Sequence, residues 1–190
     1  MIPVMLDPSS IAIALIGRGE RTLRRLAWLR ELGADPAVYS DAPSPALAKA
    51  AWPALQARLP DAAQWSAIDI VWIADLDNKT SAATVAAARS HGVMTNVEDE
   101  PGLCHFHSPA VVRRGRLVLA AGTGGASPAA AAAVRRKLQA DFPESWAGVI
   151  DALAKDRECA RANGASMAIV KARAEAILSA HGISVQTADF

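Results

Sequence analysis

The chain has 190 residues, enough for one domain or two small ones, and 52% of them are hydrophobic, which is ample for a buried core. Its formal net charge is +1, with lysine and arginine scattered, so no basic stripe suits nucleic acid. Two cysteines make no disulfide framework and no segment resembles a signal peptide or a membrane span, so we expect a cytoplasmic globular protein without nucleic-acid or membrane partners.

The first predicted elements form a strand-helix-strand unit. A continuous apolar run at 11–16 predicts a strand buried on both faces, and it ends in a Gly-x-Gly turn made by Gly17 and Gly19. A helix with apolar residues at helical spacing follows, and the next strand, at 37–40, ends at Asp41. Such glycines, with an acid about 20 residues later that binds a ribose hydroxyl, are typical of dinucleotide binding.

We expect the cofactor contacts to lie on this turn and at the ends of the next strands. Thr22 stands where a third glycine or an alanine usually lets the helix pack closely on the strand, so the local signal is weakened. A third apolar run, at 68–74, leads into Asp77. The candidate cofactor-binding residues of this unit are Gly17, Arg18, Gly19, Glu20, Arg21, Asp41 and Ala42.

Strands and helices continue to alternate up to about residue 110. The pattern predicts an alanine-rich helix over 43–60 with Ser44 as N-cap, a helix over 81–90 and a strand over 93–97. This alternation predicts an α/β fold with a parallel, doubly wound sheet of the Rossmann type.

The acidic loop after the last of these strands carries the candidate catalytic residue, Asp99. Pro101 biases Glu100 away from helix, so the Asp99 carboxylate is expected on a loop that leaves a strand, where α/β proteins keep their chemistry. In an extended loop, Glu98 and Glu100 would point away from Asp99 into solvent. Loop capping is the simpler role for an isolated aspartate near a proline.

Cys104, His105 and His107 form a candidate metal-binding group, since thiolate and imidazole suit borderline metals. Alternation along an extended segment would place His105 and His107 on one face and Cys104 with Phe106 on the other. A structural zinc site needs four ligands at a spacing that this sequence lacks. A transient iron contact by His105 or His107 is the remaining metal hypothesis.

From Val111 onward the pattern changes to a strand, an Arg-Arg-Gly turn, a second strand and a glycine-rich turn. Ser127 is the expected N-cap of the next helix and Pro128 its first residue, and the glycines before them would leave N–H groups free for an anionic ligand. A hairpin with one helix is too small for its own core, so we expect a homodimer formed through this region. The tail from 144 is predicted to be helical, with an interruption at 163–164.

Several of these motifs occur together in one known family. In chain order they are Asn96-Val97-x-Asp99-x-Pro101, Phe106, Arg114-Gly115-x-Leu117 and Thr123-Gly124-Gly125-x-Ser127-Pro128. The set resembles the precorrin-2 dehydrogenase and sirohydrochlorin ferrochelatase module of siroheme synthases, over about residues 1 to 160. The glycine turn departs from the family's three glycines, but the basic pair Arg24-Arg25 is kept. In the family the loop after the third strand lines the cofactor cleft, so the resemblance implies that Asp77 is a further cofactor-binding residue.

The resemblance implies NAD-dependent oxidation of precorrin-2 to sirohydrochlorin, with Asp99 as the base, followed by insertion of ferrous iron as a substrate to give siroheme. It also implies contacts to a carboxylate-rich tetrapyrrole. The candidate substrate-binding residues are Thr123, Gly124, Gly125, Ser127, Arg114, Arg135 and Lys137, with Arg113 as an alternative to Arg114. For Arg135 and Lys137 the simpler role is the solvated face of a helix.

The sequence predicts three regions: an NAD-binding Rossmann domain at 1–110, a dimerisation region at 111–143 and a C-terminal helical region at 144–190. Two other functions stay open. A dehydrogenase without chelatase activity would have nearly the same sequence. A non-catalytic NAD-sensing or tetrapyrrole-binding protein would explain the altered turn at 17–22, but it has no need of Asp99.

Overall fold

The apolar runs of the first half form one parallel sheet in the computed structural model, which describes residues 1–183. Its strands are β1 Ile13–Gly17, β2 Ala37–Tyr39, β3 Leu55–Gln56, β4 Ile70–Ala74 and β5 Met94–Val97. They lie in the order β3-β2-β1-β4-β5, and all neighbouring pairs are parallel. The expected doubly wound fold is therefore confirmed, and its strand order reverses between β1 and β4.

Helices cover both faces of this sheet: α1 Glu20–Glu31, α2 Pro45–Ala51, α3 Ala62–Trp65 and α4 Asn78–Ser90. Because successive side chains of a strand point to opposite faces, the core has two layers. Val71 and Ile73 of β4 belong to one layer, and Ile70 and Trp72 belong to the other. Every residue of β4 is buried, as a central strand of such a sheet requires.

The predicted helix over 43–60 is only partly correct. The structure keeps Ser44 as N-cap, accepting a hydrogen bond from the Leu47 N–H, but α2 ends at Ala51 and the chain then forms β3. Pro53 is the physical reason, because the residue before a proline is pushed out of the helical region. Trp52 accordingly has an extended backbone, with φ −65° and ψ 137°.

The chain divides into two compact units, and the second begins at Pro109. Its elements are an antiparallel hairpin of β6 Ala110–Arg114 and β7 Leu117–Ala121, followed by α5 Pro128–Asp141, α6 Trp146–Ala162 and α7 Met167–Ala180. The helical tail and its interruption are confirmed up to residue 183, and the rest of the predicted C-terminal region, 184–190, lies outside the described residues. Both α5 and α6 contact the hairpin, yet neither α5 nor α7 contains a buried residue. Within residues 1–183, no helix has both the length and the apolar character needed to cross a membrane.

Candidate active site

The carboxyl ends of β1, β4 and β5 come together where the strand order reverses, which is where doubly wound sheets bind ligands. The turn after β1 is tightly packed. A Cβ atom on Gly17 would lie 2.1 Å from Thr22 Oγ1 and 2.2 Å from the Ala74 carbonyl oxygen, so only glycine fits there. Thr22 itself is fully buried, and its hydroxyl lies 3.3 Å from the same carbonyl oxygen. Thr22 therefore joins α1 to the end of β4, so the turn is closely packed although it lacks the third glycine.

Asp75, directly after β4, caps the helix that follows the glycine turn. Its Oδ2 accepts hydrogen bonds from the Thr22 N–H at 2.8 Å and from the Thr22 hydroxyl at 3.0 Å. The N-cap position of α1 is Gly19, which has no side chain to offer, so the carboxylate from a neighbouring strand replaces it. Sequence reasoning missed Asp75. The feature that could have identified it is an acidic residue directly after a buried strand, next to a helix whose own N-cap residue has no side chain.

The predicted cofactor residues Arg18, Asp41 and Asp77 lie together, but they bind one another. Arg18 Nε and Nη2 each donate to an Asp41 oxygen at 2.7 Å, and Arg18 Nη1 donates to Asp77 at 3.2 Å. The Arg18 hydrogen bond holds the pKa of Asp41 below its usual value, and the two aspartates raise the pKa of Arg18. Ala42 follows Asp41 and is exposed. The acid expected to bind a ribose is thus already covered by a guanidinium.

Arg21 contacts Asp99 rather than remaining with the glycine turn. Arg21 Nη1 lies 2.7 Å from Asp99 Oδ2, and Asp99 has a left-handed backbone with φ 64°. Aspartate is one of the few residues that tolerates this conformation, and strained backbone is concentrated at functional sites. The expected extended loop is therefore wrong, because Glu98 and Asp99 form a turn. Glu98 then points to Arg25, 3.9 Å away, rather than into solvent.

A cavity of about 270 Å³ lies beside Asp99 at the ends of β4 and β5. Asp75, Ser81, Glu98 and Asp99 line it together with Arg21. Ser81 is buried, and its hydroxyl has no hydrogen-bond partner among residues 1–183. Sequence reasoning missed Ser81 because a serine near the start of a helix carries no distinctive signal. The cavity therefore contains one unsatisfied donor beside the candidate base.

The candidate metal group is divided between the two faces of the sheet. Cys104 packs with one core layer and Phe106 with the other, so the expected alternation is wrong because the chain bends at 105–106. His105 is exposed, but its Nδ1 accepts a hydrogen bond from the Thr95 N–H at 3.3 Å. His107 is exposed as well. Residues 1–183 contain no group of three or more His, Cys, Asp or Glu side chains that could hold a metal ion.

The predicted glycine-rich turn of the second unit forms as expected. Gly124 and Gly125 have left-handed backbones, with φ 66° and 83°, so a side chain at either would be strained. Thr123 Oγ1 donates to the Ser127 carbonyl oxygen at 3.2 Å and accepts from the Ser127 N–H at 3.3 Å. Ser127 caps α5 by accepting from the Ala130 N–H, so its hydroxyl has a structural role.

The basic candidates of the second unit differ in their surroundings. Arg114 is buried, donates to the Phe142 carbonyl oxygen at 2.7 Å and pairs with Glu144 at 3.0 Å. These contacts give Arg114 a structural role, and its contact with substrate stays a prediction. Lys137 pairs with Asp141 at 2.9 Å on the exposed surface of α5, and Arg135 is exposed on the same helix.

The residues at the switch point fit a bound dinucleotide in three respects. Glu20 and Arg21 are the first two residues of α1, and their N–H groups have no acceptor within the helix. The buried Ser40 hydroxyl at the end of β2 lacks a partner among the described residues, as Ser81 does beside β4. Asp41 stands where a ribose acceptor belongs. The fit requires Arg18 to release Asp41.

The chain is similar to proteins of known families. A family model described as "Putative NAD(P)-binding" matches residues 4–110. The siroheme synthase of Methylococcus capsulatus is 31% identical over 158 residues, which are 82% of this chain and 33% of that protein. The siroheme synthase of Nitrosomonas europaea is 30% identical over 166 residues, which are 84% of this chain and 34% of that protein. The chain thus spans about a third of the length of these curated relatives.

A solved structure has the same fold over nearly the whole chain. It is described as "SirC, precorrin-2 dehydrogenase", and it superposes with a TM-score of 0.72 at 21% sequence identity. The superposition covers 94% of this chain and 89% of that one. At 21% sequence identity, this superposition shows that the two chains share a fold and shows no more than that.

Proposed function

We propose a function on the premise that this chain belongs to the NAD(P)-binding family and resembles the precorrin-2 dehydrogenase module of siroheme synthases. It oxidises precorrin-2 to sirohydrochlorin with NAD. The observation that carries this proposal is the ion pair between Asp99 and Arg21, 2.7 Å long. It joins the candidate base to the first turn of the helix that begins at the cofactor turn.

The reaction removes a hydride and a proton from the substrate. NAD supplies the hydride acceptor. Asp99 receives the proton on Oδ1, because Oδ2 is held by Arg21. The left-handed backbone of Asp99 and the Arg21 contact together fix the direction of the carboxylate beside the cavity. The chain's own contribution is therefore orientation and one proton transfer.

NAD is the proposed cofactor in preference to NADP. Asp41 and Asp77 bring two carboxylates to the rim of the cofactor crevice, and Arg18 offsets one of those charges. A 2′-phosphate would meet the remaining negative charge, whereas a ribose hydroxyl can donate a hydrogen bond to Asp41.

Insertion of ferrous iron into sirohydrochlorin is the second proposed step, with iron as a substrate. Chelation releases pyrrole protons, and Asp99 can collect them in the same cleft. His105 and His107 are exposed and are proposed to contact the iron transiently. The glycine-rich turn at 123–127 and the exposed basic residues Arg135 and Lys137 are the proposed tetrapyrrole contacts in the second unit.

The protein is further proposed to act as a homodimer in the cytoplasm. The absence of any buried residue in α5 and α7 supports the dimer, because Val134, Met167 and Ile169 then expose large apolar side chains. The two cysteines, Cys104 and Cys159, are free thiols, in keeping with a reducing compartment.

The alternatives are a dehydrogenase without chelatase activity and a non-catalytic sensor. The contact of Arg18 with Asp41 favours a sensor that binds the tetrapyrrole, because a covered ribose acceptor weakens cofactor binding. One experiment separates all three. Purified protein is mixed with precorrin-2 and NAD, with and without ferrous iron, and the absorbance of sirohydrochlorin, siroheme and NADH is followed. Formation of NADH and siroheme supports the full proposal, NADH alone leaves the dehydrogenase, and neither leaves the sensor.

A further inference from the structure

A second cavity, of about 220 Å³, lies on the side of α1 and has a different chemistry from the cavity beside Asp99. It is lined by three guanidinium groups, one indole ring and one carboxylate, from Arg21, Arg24, Arg25, Trp28 and Glu98. Arg21, Arg25 and Trp28 lie one turn apart along α1, at positions that share one face of a helix. Among the lining groups, guanidinium groups outnumber carboxylates three to one, although Asp99 and Glu20 lie close to Arg21 and Arg24.

Arg25 is a cation whose hydrogen-bonding capacity is unused. Its side chain is only 20% exposed, and within residues 1–183 its guanidinium makes no hydrogen bond. Its nearest carboxylate oxygen, on Glu98, lies 3.9 Å away, beyond hydrogen-bonding distance. Burial lowers the pKa of Arg25. A guanidinium that is largely removed from water normally has hydrogen-bonded anionic partners, because an unpaired buried charge is costly.

The aromatic wall of this cavity is held in place by a chain of contacts. The Arg25 guanidinium lies 5.0 Å from the centre of the Trp28 ring, and Trp28 packs edge-on against Trp72 at 6.2 Å. Trp72 packs edge-on against Phe106 at 4.9 Å, and its Nε1–H donates to Ser108 Oγ at 3.0 Å. The guanidinium therefore rests on a preorganised aromatic surface, which lowers the entropic cost of binding a ligand.

We propose that this cavity, which we call the Arg25 pocket, binds a carboxylate side chain of the tetrapyrrole substrate. The inference rests on the proposed function. Arg25 provides paired N–H donors that match a carboxylate, and Arg24, 62% exposed, provides a second cation at the rim. Two carboxylates already lie near these cations: Glu20 is 3.5 Å from Arg24, and Glu98 is 3.9 Å from Arg25. A substrate carboxylate would compete with them for the two guanidinium groups.

The position of the Arg25 pocket suits a substrate that also reaches Asp99. Arg21 lines both cavities and pairs with Asp99, and Arg25 follows it by one helical turn, about 6 Å along the axis. A macrocycle anchored by a side chain at Arg25 would thus bring its ring close to the candidate base. The dinucleotide phosphates would bind the free N–H groups in the first turn of α1, which precedes Arg24 and Arg25. The dinucleotide and the tetrapyrrole carboxylate would therefore bind at separate positions along α1.

The test is an equilibrium titration with sirohydrochlorin, followed by its absorbance, using the wild type and four variants. Arg25→Gln removes the charge, and Arg25→Lys keeps the charge without the paired donors. Arg89→Gln is the matched control, because Arg89 is an exposed arginine on α4 outside the pocket. NAD is titrated in parallel by calorimetry, and circular dichroism checks folding. Arg24→Gln, at an exposed position, provides the answer if Arg25→Gln does not fold.

Arg25→Gln is expected to weaken sirohydrochlorin binding about 10- to 100-fold, Arg25→Lys less, and Arg89→Gln by less than about twofold. NAD affinity should change by less than about twofold in all of them. Unchanged sirohydrochlorin affinity in folded Arg25→Gln would overturn the pocket assignment, and so would an equal loss of NAD affinity, which would assign the pocket to the dinucleotide. NADH formation from precorrin-2 by the wild type tests the proposed function separately, so the two failures are distinguishable.

Discussion

Two aspartates at the ends of neighbouring strands have left-handed backbones, and they perform different tasks. Asp75, with φ 56°, caps α1 through Thr22, whereas Asp99, with φ 64°, pairs with Arg21. The sequence could single out Asp99 as the candidate base because it lies in a recognisable motif after a strand. The partners of both could not be predicted, because they depend on how α1 packs across the strand ends.

The Arg18 contact leads to a prediction about cofactor affinity. Arg18→Ala should free Asp41, so that NAD binds roughly two- to fivefold more tightly, the gain expected from removing one partly exposed ion pair. NADP should gain nothing, because the uncovered Asp41 and Asp77 repel its 2′-phosphate. Calorimetric titration of both cofactors tests this, with Arg89→Ala as the control. Weaker NAD binding in Arg18→Ala would mean that Arg18 contacts the cofactor instead of covering its site.

The lowered pKa of Asp77 leads to a prediction of how the stability of the fold depends on pH. Hydrogen bonds from the Thr80 backbone and hydroxyl, and from Arg18, hold its pKa below the usual value near 3.8. A carboxyl group whose pKa is lower in the folded state stabilises the fold above its unfolded pKa, and this contribution is lost as the pH falls through the folded pKa. Wild type should therefore lose more thermal stability than Asp77→Asn between about pH 6 and about pH 3. Equal losses in thermal melts would show that Asp77 is not stabilised in this way.

At the scale of elements, the parallel strands were predictable because continuous apolar runs are typical of strands buried on both faces. The end of α2 was harder, because alanine enrichment at 45–51 continues past the point where Pro53 redirects the chain. The turn from β1 to α1 was predicted by its glycines. The sequence did not reveal that the Thr22 hydroxyl would be hydrogen-bonded, because its acceptor, the Ala74 carbonyl oxygen, lies on the distant strand β4.

This turn gives a stability prediction. Gly17→Ala would place a methyl group 2.2 Å from the Ala74 carbonyl oxygen, so backbone must shift, and the free energy of unfolding should fall by roughly 1–3 kcal/mol. Gly102→Ala is the matched control, because a Cβ atom there would meet nothing within 4 Å. Urea denaturation measures both variants. A Gly17→Ala protein as stable as wild type would contradict the close packing of this turn.

At the scale of the whole molecule, the exposed apolar side chains of the second unit lead us to expect that the chain self-associates. Its helices α5 and α7 have no buried residue, and Val134 on α5 is 46% exposed. Light scattering at micromolar concentration should give the mass of a dimer, and Val134→Asp should shift it towards the monomer because a charge would be buried at the interface. A monomer mass for the wild type would contradict the dimer. The sequence could suggest the dimer only indirectly, because an interface between copies leaves no periodic signal of its own.

Asp99→Asn tests most directly whether Asp99 is the base of an NAD-dependent oxidation. Asparagine keeps the shape of the side chain and tolerates the left-handed backbone, but it cannot accept the proton. With precorrin-2 and NAD, the rate of NADH formation should fall about 10²- to 10⁴-fold relative to wild type. NAD affinity should stay within about twofold, and Asp35→Asn, at an exposed position, should retain the wild-type rate. A wild-type rate of NADH formation by folded Asp99→Asn would show that Asp99 is not the base.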